Sequence, residues 1–401
     1  MLIALFICVA LGIAIGSYLT LVRSQARNVA RSQDWNRALG VAEAGVEEAL
    51  AQLNPGVTTV KVDLTANGWG SASGGFYGPK SRTLGVDDYS VVYTTDSSPL
   101  IYSTGQVSSA GSELTRVLQV QTSITPLFTV AMGAKLAIDM SGNSLATDSF
   151  DSGDTNRSSN GLYNSGKAGT NGDIASIAGV INIGNHTING DVYLGPTATF
   201  QTGGTVTGKI NHDFNVDFPD VVLPAPVTSF LTASATSTKI GGVTYTYCFT
   251  NSNSYVLPGG GSIYVAPGAK VTLYTASDIS SIYVAGTAAN AGTLQVYLAA
   301  SSFTLSGNAT AEAPAAANLS IWGLPSCKNI TFSGNGSFTG TLYAPEAALT
   351  LNGGGSGNQD FSGSCIVNSV TVHGHFQFHY DEALGRLGAA RGFVAKSWRE
   401  L

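Results

Sequence analysis

Residues 1–22 read MLIALFICVALGIAIGSYLTLV and contain no charged residue. At about 1.5 Å per residue, an α-helix of this length crosses the roughly 30 Å hydrocarbon core of a bilayer. A signal peptide fits less well, because no basic region precedes the apolar run and no A-x-A cleavage site closes it. A plain transmembrane anchor is a stronger alternative.

The helical pattern continues beyond the apolar segment. Residues 23–53 (RSQARNVARSQDWNRALGVAEAGVEEALAQL) contain no proline and are rich in strong helix formers. Apolar residues recur every 3, 4 or 6 positions and form a narrow stripe: Val29, Trp35, Leu39, Ala42, Val46, Ala49 and Leu53. Asn54-Pro55-Gly56 is a stop signal. We predict one helix over 1–54, roughly 75 Å long, with a lipid-compatible first half and an amphipathic second half.

The overall composition indicates a β-rich extracellular protein beyond this helix. Only 11% of the residues are charged and 49 of 401 are glycine, against about 25% and about 7% in ordinary soluble domains. The 43% hydrophobic share suffices for a packed core and argues against disorder. A net charge of −6 without a long basic run argues against nucleic acid as a partner.

A small β module is predicted over residues 55–126. Apolar and polar residues alternate in Tyr89–Thr94, Leu100–Gly105 and Leu114–Thr122, as they do in half-buried strands. Pro126 marks the expected boundary of this module.

Residues 127–380 are predicted to form a larger head. The pattern apolar-Thr-apolar-x-Gly repeats at intervals of 27, 19 and 21 residues, in Phe303–Gly307, Ile330–Gly334, Leu349–Gly353 and Val370–Gly374. Such intervals favour a parallel β-solenoid over a β-sandwich, the alternative. The two apolar residues of each repeat should point inward, the threonine outward, and the glycine should lie at a corner. Pro219, Pro224 and Pro226 should interrupt the stack.

The last segment, residues 381–401, is predicted to be an amphipathic helix. Its apolar residues Leu384, Leu387, Val394, Trp398 and Leu401 recur at helical spacing. This helix would cover an open end of the solenoid, or dock on the head or on a neighbouring chain. The fold class is therefore α+β, mainly β.

Four cysteines are too few for a disulfide scaffold. Cys8 lies in the apolar helix and is expected to be a free, buried thiol. Cys327 and Cys365 should be two coils apart, about 9–10 Å, which exceeds the roughly 7 Å limit for a disulfide. A Cys248–Cys327 bond remains open.

Residues that could carry catalysis or bind metal are sparse. The sequence holds no hydrolase, metalloprotease, Walker A or Rossmann motif, so we expect no enzyme and no cofactor. A membrane-anchored carbohydrate-active enzyme is the rival class, but it needs paired acids that the coils lack. The weak metal candidates are His373, His375 and His379, which one strand would place on one face, and, for calcium, Asp151, Asp154 and Asn156.

Several residues of the helix suit contacts between chains. Gly12 and Gly16 form a G-x-x-x-G pair that lets helices approach closely. Arg23, Arg27 and Arg31 are four residues apart and form a basic ridge, which a neighbour's acids could meet; a solvated face is the alternative. Taken alone, this ridge would place the following residues in the cytoplasm, unless a basic leader had been removed.

One segment carries a resemblance to a known family. Ala42-Glu-Ala-Gly-Val-Glu-Glu-Ala49 resembles the AEAG stretch of the PilX-type N-terminal family of type IV pilins and pseudopilins. Ile101-Tyr-Ser-Thr-Gly105, followed by Arg116-Val-x-x-Val120, resembles the pilin-type sheet. The C-terminal coils resemble β-helix domains attached to PilX-type helices and, distantly, bactofilins.

The resemblance implies a structural subunit of a type IV pilus-like filament. A prepilin peptidase would remove a leader, so that Met1 is the mature first residue. The helix would wait in the bacterial inner membrane until assembly machinery moves it into an extracellular homopolymer. Leu5 stands where major pilins carry a glutamate, so a minor or tip pilin acting as adhesin or assembly factor is the alternative. The residues expected to pack in the filament are Met1, Leu5, Gly12, Gly16, Arg23, Arg27, Arg31, Glu43 and Glu47.

Overall fold

The computed structural model describes residues 2–54, 64, 67–96, 98–109, 112–141, 146–201, 203–305, 311–334, 336–353, 359–374, 376–387 and 390–401. The chain divides into two compact units. Of the described residues, unit 1 holds 2–54, those from 64 to 125, and 391–401, and unit 2 holds those from 126 to 390.

Unit 1 combines one long helix with a five-stranded sheet. The helix, α1, covers Leu2–Leu53. The strands are β1 (Phe76–Leu84), β2 (Asp87–Thr94), β3 (Leu100–Ser109), β4 (Ser112–Pro126) and the last strand of the chain, β31 (Ala390–Glu400). Strands β1 to β4 pair antiparallel in chain order, and β31 lies beside β4.

Only the C-terminal part of α1 packs on this sheet. Small and apolar side chains of the helix, at Ala38, Val41, Ala42, Val46 and Ala49, are buried against the sheet. Gly105 on β3 permits the close approach, because a Cβ there would lie 2.5 Å from the backbone nitrogen of Ala42.

The C-terminal strand is fixed to α1 and to β4. Asn54, just after α1, donates to the carbonyl of Phe393 (2.7 Å) and accepts from its amide (2.6 Å). Arg116 of β4 binds Glu400 through Nε (2.7 Å) and Nη2 (2.5 Å), and its guanidinium lies 4.7 Å from the Trp35 ring centroid.

The amphipathic helix predicted for residues 381–401 is therefore wrong. Among the described residues of this segment, Leu384–Leu387 form a helical turn, α2, and Ala390–Glu400 form strand β31. The ladder beside β4 and the contacts at Asn54 and Arg116 are long-range, and they override the helical spacing of the apolar residues.

Unit 2 is built from short strands that pair in parallel, except for one antiparallel hairpin of β16 and β17. Before residue 230 the strands are β5 (Met132–Ala134), β6 (Ile138–Asp139), β7 (Ala146–Phe150), β8 (Ile174–Ser176), β9 (Val180–Asn182), β10 (Thr187–Ile188), β11 (Val192–Leu194), β12 (Thr199–Gln201), β13 (Thr205–Val206) and β14 (Ile210–Asn211). After it they are β15 (Leu231–Thr232), β16 (Thr238–Ile240), β17 (Val243–Tyr245), β18 (Tyr247–Phe249), β19 (Asn253–Val256), β20 (Gly261–Val265), β21 (Lys270–Thr275), β22 (Ile279–Val284), β23 (Thr293–Leu298), β24 (Ser302–Leu305), β25 (Ala311–Glu312), β26 (Leu319–Gly323), β27 (Asn329–Gly334), β28 (Phe338–Gly353), β29 (Gln359–His373) and β30 (Phe376–Asp381).

These parallel strands stack in three columns, as in a solenoid. Column A runs β18, β20, β22, β25, β28, β29, β30, β7, β10 and β13. Column B runs β15, β19, β21, β23, β26, β28, β29, β5, β8, β11 and β14. Column C runs β24, β27, β28, β29, β6, β9 and β12. The long strands β28 and β29 contribute to all three columns.

The coils do not stack in the order of the chain. Residues 231–381 form consecutive coils, and the earlier residues 132–211 continue the stack below them, because β29 and β30 pair with β5, β6 and β7. The chain thus enters the solenoid in the middle, descends to one end, and restarts at the other end.

A strap, residues 213–226, connects the two ends along the outside of column B. It begins where the Phe214 amide donates to the Leu194 carbonyl (3.1 Å), and the Tyr343 hydroxyl donates to the Pro219 carbonyl (2.7 Å). Phe218 and Val221 are buried against outward-facing aromatic side chains of that column, which include Tyr297 and Tyr343. The prolines that were expected to interrupt the stack lie in this strap.

The predicted fold class is confirmed in its main parts: a long N-terminal helix, a small antiparallel sheet and a large, mostly parallel sheet. The inward columns are also confirmed. Phe303, Ile330, Leu349 and Val370 are in register and buried, and so are Leu305, Phe332, Leu351 and Val372. The threonines between them align as a partly exposed ladder, Thr304, Thr331, Thr350 and Thr371. Gly374 has the expected positive φ, +99°, whereas Gly353 ends strand β28 and Gly307 lies outside the described residues.

The cysteines stay unpaired in the structure. Cys8, Cys248, Cys327 and Cys365 are all free. Cys8 is exposed in the single chain rather than buried, because no other element of the described chain covers the first half of α1.

Candidate functional site: the exposed half of α1

The first part of α1 is apolar and exposed. Every described side chain from Leu2 to Gln33 is exposed, and the large apolar ones range from 83% at Leu2 to 39% at Val22. By length and composition the helix can cross a membrane. Burying one such side chain is worth about 1.5–3 kcal/mol, so this segment is suited to lipid or to other chains.

This exposed half contains most of the residues predicted to pack between chains: Leu5, Gly12, Gly16, Arg23, Arg27 and Arg31. Leu5 is 64% exposed, and no atom lies within 4 Å of the Cβ positions of Gly12 and Gly16. The Thr20 hydroxyl is satisfied inside the helix, by donation to the carbonyls of Gly16 (3.1 Å) and Ser17 (2.7 Å). Another helix can therefore pack against the surface around Gly16, and the Thr20 hydroxyl keeps its hydrogen-bond partners. Met1 lies outside the described residues.

The charged candidates of α1 are not brought together within one chain. Arg23, Arg27 and Arg31 are exposed, N-terminal to the part that packs on the sheet, and Glu43 and Glu47 are exposed beside the sheet. Among the described residues, neither Glu43 nor Glu47 forms an ion pair. These side chains are thus available to a partner.

Glu48, which the sequence did not single out, has a structural role inside unit 1. It binds Lys80 (2.5 Å) and Arg82 (3.0 Å) and accepts from the Tyr89 hydroxyl (2.6 Å). Burial would raise the pKa of Glu48, but these hydrogen bonds and charges lower it overall, while burial and Glu48 raise the pKa of Tyr89 to about 12. Of Glu43, Glu47 and Glu48, only Glu48, which lies next to the buried stripe of α1, forms ion pairs within the described chain.

The three candidate histidines do not lie along one strand. His373 ends β29 and is exposed, His379 lies in β30 beyond the corner at Gly374, and His375 is outside the described residues. His379 is buried between carboxylates: its Nδ1 is 2.5 Å from Asp148, its Nε2 is 3.3 Å from Asp360, and its ring stacks on Tyr163 at 3.4 Å. The shared face predicted for a metal is therefore wrong, because the corner separates the strands.

The calcium candidates serve a different purpose. Asp151 accepts two hydrogen bonds from Arg386 (2.8 and 2.9 Å) and one from the Gly153 amide, and Asp154 accepts from the Asn156 amide (2.8 Å). These contacts fold the loop against the end of β30. In the part of the chain that the structure describes, no group of three or more His, Cys, Asp or Glu side chains could hold a metal ion.

A family model matches part of unit 2, and one solved structure is similar over most of the chain. Residues 233–387, most of the consecutive upper coils, match a family model described as a domain of unknown function (DUF7305). No curated protein is similar enough to the chain to count as a match. Among solved structures, the chain is similar to the competence-associated pilin ComZ from Thermus thermophilus, with 13% identity over 92% of this chain and 97% of that one. The TM-score is 0.31.

Proposed function

We propose that this protein is a structural subunit of a type IV pilus-like extracellular filament, assembled through α1. The observation that carries the proposal is the division of α1 into two halves. Apolar side chains between Ala38 and Ala49 are buried on a sheet of the same chain, whereas the large apolar side chains from Leu2 to Val22 are 39% or more exposed. A helix presented in this way can lie in a membrane as a monomer and against other helices in a polymer.

The partners and the location that we propose rest on this division and on the resemblance of residues 42–49 to pilin helices. Before assembly the apolar half of α1 lies in the bacterial inner membrane. A prepilin peptidase and the pilus assembly machinery process the chain and move it into the filament, where its main partner is another copy of itself. The solenoid is then displayed on the cell surface.

A minor or tip subunit is the second candidate. The large solenoid favours this candidate, because a display surface of this size suits an adhesin or an assembly factor.

The abundance of the protein in filaments distinguishes the two candidates. Filaments sheared from the producing cells would be analysed by quantitative mass spectrometry and by immunogold labelling along their length. A structural subunit dominates the sheared mass and labels every filament along its length. Scarce label confined to tips supports the minor subunit, and absence from the filaments rejects both candidates.

Gly16 offers a direct test of helix packing. Gly16→Leu should reduce the amount of filament strongly while unit 2 stays folded, because a large side chain prevents close approach of a neighbouring helix. Gly16→Ala is the matched control and should still assemble, since it keeps a small residue. Normal filaments with Gly16→Leu would exclude close packing at this position.

A chain without residues 1–25 should be soluble and should not assemble. Polymerisation of that truncated chain would instead indicate that unit 2 drives assembly.

A further inference from the structure

The basic and acidic residues of α1 lie on opposite sides of the helix. At about 100° per residue, Arg23, Arg27 and Arg31 span an arc of about 80°, and the centre of that arc is about 180° from Glu43 and Glu47. All five side chains are exposed. The helix therefore carries a basic stripe (Arg23, Arg27, Arg31) and an acidic stripe (Glu43, Glu47) that face in opposite directions.

The sheet of unit 1 fixes how accessible each stripe is. The buried residues of α1, from Ala38 to Ala49, point in about the same direction as the basic stripe, so the arginines lie on the sheet side of α1 but N-terminal to the sheet contact. Glu47 lies on the back of α1, away from the sheet, and Glu43 lies at the flank of the contact, close enough for its charge to act on Arg116 of β4. Gly40, beside them, has no atom within 4 Å of its Cβ position, so another helix can come close to this face.

The charges next to the two stripes are already engaged. Arg37 pairs with Asp34 (3.3 Å) and Asp87 (3.0 Å), and Glu48 pairs with Lys80 and Arg82. The exposed back of α1 is left with a net negative charge and the exposed front with a net positive one. Each stripe is complementary to the other stripe of a second copy.

We propose that the acidic stripe of one copy docks on the basic stripe of the next, with the two α1 helices parallel and staggered by 16 to 20 residues. A stagger of 20 residues, about 30 Å, pairs Arg23 with Glu43 and Arg27 with Glu47 of the next copy. A stagger of 16 residues, about 24 Å, pairs Arg27 with Glu43 and Arg31 with Glu47. This interface rests on the proposed filament function and names the surface through which the copies meet.

The opposite placement of the stripes determines the kind of assembly. A closed two-fold dimer uses the same patch on both copies, so it would need both charges on one face. Stripes on opposite faces give a head-to-tail contact in which every copy uses both of its faces, and such a contact propagates. Exposed charges also select the register of the copies and weaken at high salt.

Charge reversal tests the interface with the full-length chain in detergent, assembled by detergent dilution and measured by sedimentation and negative-stain electron microscopy. The first variant reverses the whole basic stripe (Arg23→Glu, Arg27→Glu and Arg31→Glu), and the second reverses the acidic stripe (Glu43→Arg and Glu47→Arg). Each variant alone places like charges at every contact, and its critical concentration should rise by about tenfold or more. An equimolar mixture should assemble nearly as well as the wild-type chain, because alternating copies restore opposite charges at every contact.

The mixture separates a lost interface from a misfolded chain, since two misfolded chains do not rescue each other. Assembly of either variant at the wild-type critical concentration, or a mixture no better than its components, overturns the pairing and leaves the filament proposal intact. Failure of the wild-type chain to polymerise overturns the filament proposal and the pairing with it.

A cross-link identifies the stagger. In an Arg27→Lys chain, a carbodiimide can join the introduced lysine to a carboxylate of the neighbouring copy. Mixed isotope-labelled copies then show by mass spectrometry which bonds are between chains. Bonds to Glu47 support the 20-residue stagger, and bonds to Glu43 support the 16-residue stagger. Bonds only to other acids overturn the pairing.

Discussion

Leu351 and Thr350 are adjacent in sequence but have opposite environments. Leu351 is fully buried between Phe332 and Val372 of the neighbouring coils, whereas Thr350 belongs to the partly exposed ladder. Leu351→Asp should cost far more than the about 1 kcal/mol of an average substitution, because it buries an unpaired charge. Thr350→Asp, the matched control, should cost less than about 1 kcal/mol.

Hydrogen exchange of residues 338–373 in the full-length chain measures both effects. Loss of protection with Leu351→Asp but not with Thr350→Asp is the expected result. Similar protection in the two variants would contradict the inward and outward assignment of these residues.

His379 should make the stability of unit 2 depend on pH. Burial alone would lower the pKa of His379, but hydrogen bonds and charge from Asp148 and Asp360 outweigh it and raise the pKa above its usual value near 6.5. A raised pKa in the folded state means that protonated His379 stabilises the fold. This contribution is complete below about pH 6.5 and is lost as the pH rises through the raised pKa.

His379→Gln, which cannot be protonated, isolates that contribution. The difference in melting temperature between the wild-type chain and the variant should be larger at pH 5.5 than at pH 9, and the wild-type chain should be the more stable at pH 5.5. A difference that does not change with pH would mean that His379 has the same pKa in the folded and unfolded states, and a smaller difference at pH 5.5 than at pH 9 would mean that folding lowers its pKa.

At the residue scale, the sequence predicted what depends on local spacing. The inward position of Leu351 follows from the two-residue period of a strand. The surroundings of His379 could not be predicted, because Asp148 is 231 residues away and is brought near by the out-of-order stacking of the coils. The exposed charges of α1 were identified from their spacing of four residues, since a helix face is also a local property.

At the element scale, the contact of α1 with β3 depends on a glycine. Gly105→Ala should destabilise unit 1 by about 1–3 kcal/mol, the usual cost of overpacking, since its Cβ would meet the backbone of Ala42. Gly40→Ala is the matched control on the free face of the helix, and it should stabilise by about 0.5–1 kcal/mol through helix propensity alone.

Both effects are measured as changes in the melting temperature of unit 1. Hydrogen-exchange protection of β3 reports this unfolding. Opposite signs are expected for the two glycines. Equal tolerance of both alanines would mean that α1 does not approach β3 as closely as the structure shows.

The C-terminal segment shows where prediction at this scale fails. The spacing of Leu384, Leu387 and Val394 fits a helix, yet most of the segment is strand β31. Its hydrogen-bond partners lie on β4 and at Asn54, 339 residues from Phe393. Amphipathic spacing alone cannot predict such hydrogen-bond partners, because they are distant in sequence.

At the scale of the whole molecule, the order of the coils is the feature that the sequence could not supply. Each coil buries the same kinds of apolar side chain, so the repeat identifies coils without fixing which coil follows which. The stack is continuous only because β29 meets β5 and β6, and β30 meets β7. The strap makes this order possible, since it returns the chain from one end of the stack to the other.

A disulfide across this junction tests the order directly. Met132 of β5 is in register with the native Cys365 of β29, and both side chains are fully buried. Adjacent parallel strands lie about 4.8 Å apart, within the range that a disulfide requires. Burial raises the pKa of the Cys365 thiol, so oxidation should be slow in the folded chain and the bond should form during refolding in an oxidising buffer.

Met132→Cys should therefore give a bond between position 132 and Cys365, identified by mass spectrometry of non-reduced peptides. Ile174→Cys is the matched control, because Ile174 is equally buried but lies one strand further along column B. The distance from Cys365 is then about 9–10 Å, too long for a disulfide. In a solenoid that stacked in chain order, position 132 would lie at one end of the stack, far from Cys365. A bond with Ile174→Cys but not with Met132→Cys would shift the junction by one coil, and no bond with either would contradict the out-of-order stack.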